Sequence, residues 1–159
     1  RVDMSANRYV NDQFNFELLI PIGWEVREDN TGYVEADKSV VQSLQIAPKF
    51  FKEGYYSRID IRGDGVESSA QSIIELNEEH NQYLREMNVD ESKSFISNKD
   101  SEFNGYSARV LTFSTGEKQE KYFLIKQGGN TYVLFVNDET INEEYKIASQ
   151  VISTFRFIK

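Results

Sequence analysis

The sequence contains few residues that could carry catalysis. It has one histidine, His80, and no cysteine, so thiolate nucleophiles, disulfides and cysteine-ligated zinc are excluded. A Ser-His-Asp triad needs a base beside its nucleophile, and the chain has no Gly-x-Ser-x-Gly motif. His80 falls on the apolar stripe of a predicted helix, where we expect a packed, hydrogen-bonded residue. The sequence therefore predicts a protein that is not an enzyme and that has no cofactor.

Acidic residues are abundant but form no recognisable acid–base pair. General acid catalysis requires a carboxyl group held in an apolar pocket with a raised pKa. The segment 60–65 resembles a calcium loop, but the third position is Arg62 and the twelfth is Gln71. A solvated turn is the default interpretation. The remaining weak candidates for an oxygen-ligated metal site are Asp60, Asp64 and Glu67.

An aromatic loop is the strongest candidate for a binding surface. Four large rings surround Gly54 between Lys49 and Ser57, and basic residues flank them. Tyr, Phe and Arg are enriched at protein interfaces. The candidate partner-binding residues are Phe50, Phe51, Tyr55, Tyr56 and Arg58. The alternative is that the loop folds back and seals one end of the core, and the sequence does not decide between the two.

The charge balance limits the classes of partner. The net charge is −8, from 26 acidic and 18 basic residues, and no dense basic run exists. Nucleic acids and anionic membrane surfaces are therefore disfavoured. No stretch approaches the roughly 20 apolar residues of a membrane span. Because the chain starts at Arg1, with Met4 in a polar context, we expect an upstream segment that carried an export signal or a lipid anchor.

Alternating and doubly apolar segments predict a mostly antiparallel sheet. The predicted strands cover residues 9–10, 14–20, 24–26, 57–62, 106–113, 121–125, 131–136 and 154–158, with weaker predictions at 32–36 and 40–47. The segments 122–125 and 132–136 are apolar on both faces, which is typical of central strands covered on both sides. Gly128-Gly129 between them predicts a tight hairpin, since glycine tolerates positive φ.

Two helices are predicted from capping boxes followed by apolar stripes. Ser68 to Gln71 forms the first box and predicts a helix over about 69–87, with a stripe at Ile73, Leu76, His80, Leu84 and Met87. Thr140 to Glu143 forms the second and predicts a helix over 141–153, with a stripe at Ile141, Tyr145, Ala148, Ile152 and Phe155. We expect one domain over 8–159, with residues 1–7 as a flexible lead-in.

The order of these elements resembles the PsbP-like family over nearly the whole chain. The segment from Phe14 to Val26, which includes Pro21-x-Gly23-Trp24, is similar to the opening of that family. Residues 104–108, the hairpin that ends at 131–134 and the closing segment 152–157 are similar to its second half. The resemblance implies a non-enzymatic protein with a Mog/PsbP-type α/β/α sandwich, in which helices lie on the faces of a central, twisted, mostly antiparallel sheet.

The leading hypothesis is a bacterial extracytoplasmic binding or assembly module with a protein partner. Its secreted or lipid-anchored location is implied by the resemblance, because bacterial members are often exported in these ways. The alternative is a protein that binds a small ligand or a divalent metal, in a cavity between the sheet and a helix or at the turn 60–67. A hydrolase with an acidic pair is the least favoured hypothesis.

Overall fold

The computed structural model describes residues 7–28, 38–90, 92–116, 118–138 and 142–158. The strands in these ranges are β1 (Asn7–Asn11), β2 (Phe16–Ile20), β3 (Trp24–Glu28), β4 (Val40–Pro48), β5 (Ser57–Arg62), β6 (Ser94–Phe103), β7 (Tyr106–Thr115), β8 (Lys118–Gln127), β9 (Asn130–Asp138) and β10 (Arg156–Phe157). The helices are α1 (Val66–Glu86) and α2 (Glu143–Ser153). The strand predicted at 32–36 lies outside the described residues. Neither helix combines the length and apolar character needed to cross a membrane.

The main sheet is antiparallel and has the strand order β3-β4-β5-β9-β8-β7-β6. A second, three-stranded antiparallel sheet has the order β1-β2-β10. The two doubly apolar segments lie in β8 and β9, with β9 in the middle of the seven strands. The prediction that they are central strands is confirmed.

The two faces of the main sheet contact different elements. Leu124 and Val133 pack with Ala70 of α1 on one face. Tyr132 and Leu134 pack on the other face with Ile152 of α2 and with residues of the three-stranded sheet. Helices therefore cover both faces, which confirms the predicted α+β sandwich. The small sheet beside α2 was not predicted as a separate layer.

An aromatic cluster joins the small sheet to the main sheet. The ring of Phe16 in β2 lies 5.2 Å from that of Phe155 and 6.2 Å from that of Tyr132 in β9, measured between centroids. Phe16 and Phe155 are fully buried. Large rings bury much apolar area each, so a sequence of modest hydrophobicity still supplies a core here.

Helix α1 differs from its prediction at the start and along its apolar stripe. It begins after Gly65, which provides no side-chain cap, so the predicted capping box at Ser68 is wrong. Its buried residues are Ser69, Ala70 and Asn81. The predicted stripe residues Leu76, His80 and Met87 are exposed.

Two asparagines explain why this polar face of α1 lies inside. Asn81 donates to the carbonyl of Lys93 (2.7 Å) and accepts from the amide of Lys93 (2.9 Å). Asn77 donates to the same carbonyl at 3.0 Å. The helix face thus satisfies the backbone of the segment before β6, as a buried polar backbone requires.

Helix α2 begins after Asn142, whose side chain accepts from the amides of Glu144 (2.9 Å) and Tyr145 (3.3 Å). The predicted cap at Thr140 is therefore wrong, and Thr140 and Ile141 lie outside the described residues. An asparagine at the N-cap satisfies free amides in the first turn. The rest of the predicted stripe is partly or fully buried, with Ala148, Ile152 and Phe155 in the core.

Two hairpins carry consecutive residues with positive φ. Gly128 (φ +57°) and Gly129 (+84°) join β8 to β9, as predicted. Asn104 (+51°) and Gly105 (+83°) join β6 to β7 in the same way. Strand β6 was not predicted, because it is a polar edge strand that lacks a clear apolar face.

Candidate functional site

The aromatic loop between β4 and β5 is anchored by an arginine of β3. The guanidinium of Arg27 donates to the carbonyls of Phe51 (2.8 Å), Lys52 (3.3 Å) and Gly54 (3.0 Å). Gly54 has φ +90°, and a Cβ atom there would approach Cε2 of Phe51 to 2.9 Å. The loop therefore has a specified shape that only glycine at this position permits without strain.

Two rings of the loop seal one end of the core. The ring of Tyr56 lies 5.1 Å from that of Phe51, 6.0 Å from that of Trp24 and 4.9 Å from that of Tyr145 in α2. Phe51 and Tyr56 are both half-buried. Desolvation by burial raises the pKa of Tyr56, and the nearby carboxylate of Glu144 acts in the same direction. These two rings fill the space between the sheet and α2.

Phe50, unlike Phe51 and Tyr56, is directed into solvent and is 74% exposed. Ile22, in the turn before β3, is 79% exposed. The amide of Lys49 donates to the carbonyl of Gly23 at 2.7 Å, so the two turns lie side by side at this end of the sheet. We call Ile22 and Phe50 the apolar tip. Ile22 was not among the predicted residues, because an isolated apolar residue in a turn gives no pattern.

Tyr55 and Arg58 lie on the face of the sheet that carries α1. Nη1 of Arg58 donates to the hydroxyl of Tyr55 at 2.5 Å, and its guanidinium carbon lies 5.4 Å from the ring centroid of Tyr55 and 5.5 Å from that of Phe135. Nε of Arg58 is 3.0 Å from Oδ2 of Asp60. The five candidate residues thus occupy three places. Phe50 lies in the apolar tip, Phe51 and Tyr56 seal one end of the core, and Tyr55 and Arg58 lie on the α1 face.

A cleft of about 390 Å³ opens between α1 and the sheet. Its lining residues are Arg58, Ile73, Leu76, Asn77, His80, Lys93 and Tyr122. The floor is supplied by β5 and β8, and the wall by one side of α1. Nζ of Lys93 lies 2.9 Å from Oε2 of Glu120, which is buried. The sole histidine thus lies at a cleft rim and is exposed, which differs from the packed position that we predicted for it.

The three weak metal candidates each bind a different arginine. Asp60 accepts from the Ser43 hydroxyl at 2.5 Å and contacts Arg58, and burial raises its pKa in spite of these partners. Asp64 accepts from Nε of Arg62 (3.0 Å) and from the Ser69 hydroxyl (2.7 Å).

Hydrogen bonds account for the pKa values of the other two carboxylates. Burial alone would raise the pKa of Asp64, but its bonds from Arg62 and Ser69 make the net change a decrease. A hydrogen bond from Arg109 lowers the pKa of Glu67. Across the described ranges, no group of three histidine, cysteine or acidic residues could hold a metal ion. The geometry here favours ion pairs over a cation site.

Comparison with known proteins defines the fold. No protein-family model matches the sequence, and a search of curated proteins finds no match. The structure is similar to the solution structure of cyanobacterial PsbP (CyanoP) from Synechocystis sp. PCC 6803, with a TM-score of 0.55 and 12% identity over 98% of this chain and 94% of that chain. The chain has a PsbP-like fold. A crystal structure from Bacteroides thetaiotaomicron VPI-5482 also matches, with a TM-score of 0.48 and 13% identity over 98% of this chain and 50% of that chain.

The PsbP-like fold places the apolar tip and the cleft on different parts of the molecule. The tip lies at the β3–β4 end of the main sheet, and the cleft lies under α1. Lys93 and Tyr122 of the cleft were missed as site residues, because they come from elements that are far apart in the sequence. Polar residues at helical spacing, Asn77 and Asn81, are the one signal that could have located the buried face of α1.

Proposed function

We propose that the protein is a non-catalytic, PsbP-like binding module that acts outside the cytoplasm and contacts a protein partner through the apolar tip. The observation that carries the proposal is the exposure of two large apolar side chains, Ile22 and Phe50, on neighbouring turns. A single exposed apolar residue is ordinary on a protein surface. Two on anchored turns at one end of a sheet form a contact patch.

The anchoring of the loop supports a binding role. Three hydrogen bonds from Arg27 fix the backbone that directly follows Phe50, so little conformational freedom is lost when a partner binds. Lys49 and Lys52 are exposed on either side of Phe50. Interfaces commonly have an apolar centre and a polar rim. The partner is therefore expected to present an apolar pocket with acidic groups at its border.

The environment of the buried acids supports a non-catalytic role. In the part of the chain that the structure describes, the buried carboxylates are Glu17, Asp60 and Glu120. Glu17 contacts two arginines, Asp60 contacts Arg58, and Glu120 contacts Lys93. A general acid needs a carboxyl group in an apolar pocket. Each of these groups instead has a cationic neighbour, and Asp60, whose pKa is raised by burial, is only 3% exposed.

An affinity purification with matched variants tests the proposed contact. Wild type, Phe50→Ala and Tyr83→Ala would each be used as bait in extracts of the source cells. Tyr83 is an exposed aromatic residue of α1, 57% accessible and distant from the tip. We expect a partner that is retained by wild type and by Tyr83→Ala and is lost with Phe50→Ala. Equal retention by Phe50→Ala and wild type would overturn the tip as the contact surface.

The location has a separate test. The gene product, expressed from its own start codon with a C-terminal tag, would be followed through cell fractionation and through protease treatment of intact cells. The resemblance to PsbP-like proteins motivates the expectation of an exported protein. Recovery of the full-length product in the cytoplasmic fraction alone would overturn the location and leave the tip proposal intact.

A further inference from the structure

We propose that the cleft between α1 and the sheet binds a small organic carboxylate with an apolar body. This inference concerns a surface separate from the apolar tip, and it goes beyond the protein partner proposed above. It is carried by the side chains that line the cleft, because they combine several hydrogen-bond donors with apolar groups.

The charged part of the lining is cationic. Arg58 and Lys93 line the cleft, whereas their acidic neighbours Asp60 and Glu120 do not. Those two carboxylates are only 3% and 7% exposed, whereas Arg58 and Lys93 reach the lining. Among the residues that the structure describes, none that lines the cleft is acidic, although the whole chain carries a net charge of −8. The cleft thus presents donors to an entering anion, and charge-assisted hydrogen bonds are the stronger ones.

Neutral donors extend this set. The Asn77 amide and the His80 imidazole lie on the α1 wall of the cleft. An ammonium group has three N–H donors, and that of Lys93 forms an ion pair with Glu120. A carboxylate has two oxygens, each of which accepts more than one hydrogen bond. A carboxylate can therefore accept from several of these donors at once.

The remaining lining is apolar. Ile73 and Leu76 of α1 and the ring of Tyr122 of β8 supply this part. Leu76 is 46% exposed although it belongs to a helix that packs on the sheet. A volume of about 390 Å³ falls at the lower end of the range of roughly 300–1,000 Å³ that is usual for ligand pockets. A small aromatic or branched apolar group on the ligand would cover these residues.

The guanidinium of Arg58 and the backbone of Lys93 are held in place before any ligand binds. Asn81 bonds both the amide and the carbonyl of Lys93, and Asn77 bonds the same carbonyl. The guanidinium of Arg58 is fixed by Tyr55 and by the ring of Phe135. Preorganised groups lose little entropy on binding.

An NMR titration with three carboxylates tests the site. Benzoate, phenylacetate and isovalerate would be added to the ¹⁵N-labelled chain, with phenylacetamide and inorganic phosphate as analogues that lack the charge or the apolar body. We expect saturable shifts of the amides of residues 73–80, 93 and 122 with at least one carboxylate, and affinity at least about tenfold lower for phenylacetamide and phosphate. No localised shift with any of the three up to roughly 10 mM would overturn the proposal. Equal binding of phenylacetamide or phosphate would also overturn it.

Two variants separate the site from the fold. The double variant Lys93→Gln with Glu120→Gln removes the cation together with its buried partner, which avoids leaving an unpaired carboxylate. We expect it to bind the best carboxylate at least about tenfold more weakly, whereas Lys126→Gln, at an exposed lysine of β8 outside the cleft, binds normally. Leu76→Glu introduces a negative charge at a half-exposed position and should abolish binding while the chain stays folded. Unchanged affinity in Leu76→Glu would refute the site, whatever the stability of the double variant.

Discussion

Two neighbouring phenylalanines of the aromatic loop should respond in opposite ways to truncation. Phe51 packs against Tyr56 at a centroid distance of 5.1 Å, whereas Phe50 is 74% exposed. We therefore expect Phe51→Ala to destabilise the fold and leave the apolar tip chemically unchanged. Phe50→Ala should leave the stability unchanged and remove partner binding.

The magnitudes follow from the burial of each ring. Full burial of a phenylalanine side chain contributes about 1.5–3 kcal/mol, and an aromatic pair contributes about 0.5–1.5 kcal/mol more. Since Phe51 is half-buried, about half of the first amount plus the pair gives roughly 2 kcal/mol. This corresponds to a decrease in Tm of about 4–8 °C for a chain of this length. A substitution at the exposed Phe50 should change the free energy of unfolding by less than about 0.5 kcal/mol.

Urea unfolding followed by tryptophan fluorescence measures the stability of both variants with a probe close to the substituted rings. Trp24 is the only tryptophan, is nearly buried, and lies 6.0 Å from Tyr56 in the same cluster. The m-values should stay equal, since neither substitution alters the folded surface much. Equal destabilisation by both variants would refute the division of the loop into a seal and a tip. A cost below about 0.5 kcal/mol for Phe51→Ala would refute the packing role of its ring.

Three further predictions concern backbone, capping and charge. Gly54→Ala should lower the free energy of unfolding by about 2 kcal/mol in chemical denaturation, because its φ of +90° strains any residue with a Cβ and that atom would meet the Phe51 ring. Asn142→Ala should cost about 1 kcal/mol in the same assay, whereas Asn142→Asp should restore the cap and most of the stability. Hydrogen bonds and charges of two arginines lower the pKa of Glu17 from its usual value of 4.5. The stabilisation by these two ion pairs is therefore complete above the usual pKa of 4.5 and is lost as the pH falls through the lowered pKa of Glu17 in the folded chain. Glu17→Gln should therefore flatten the acid side of a Tm–pH profile.

The central part of the fold could be predicted because its signals are local. Alternation of apolar residues located β2 and β5, and the doubly apolar segments located β8 and β9. The Gly128-Gly129 turn gave their connection. Strand β6 was missed although Asn104-Gly105 forms a hairpin with two positive φ angles. That dipeptide is a strong hairpin signal, and it outweighs a weak hydrophobic pattern in the preceding strand.

The buried face of α1 could not be predicted from the hydrophobic pattern of its sequence. The stripe through Leu76, His80 and Met87 follows helical spacing, but the helix turns Asn77 and Asn81 towards the segment before β6. The backbone of Lys93, twelve residues beyond Asn81, decides this orientation by requiring hydrogen bonds. Tertiary contacts of this kind override the periodicity of a segment.

The same reasoning explains why one loop can serve two surfaces. Phe50 and Phe51 are adjacent and chemically identical, so no local rule separates them. The guanidinium of Arg27 in β3 donates to the carbonyls of Phe51 and Gly54 and so fixes the turn in which one ring packs against Tyr56 and the other is exposed. A few residues later the same segment supplies Tyr55, which holds Arg58 at the floor of the cleft. The apolar tip and the proposed carboxylate site are thus positioned by the two ends of a single anchored segment, and a perturbation of its middle at Gly54 should weaken both while Phe50→Ala weakens the tip alone.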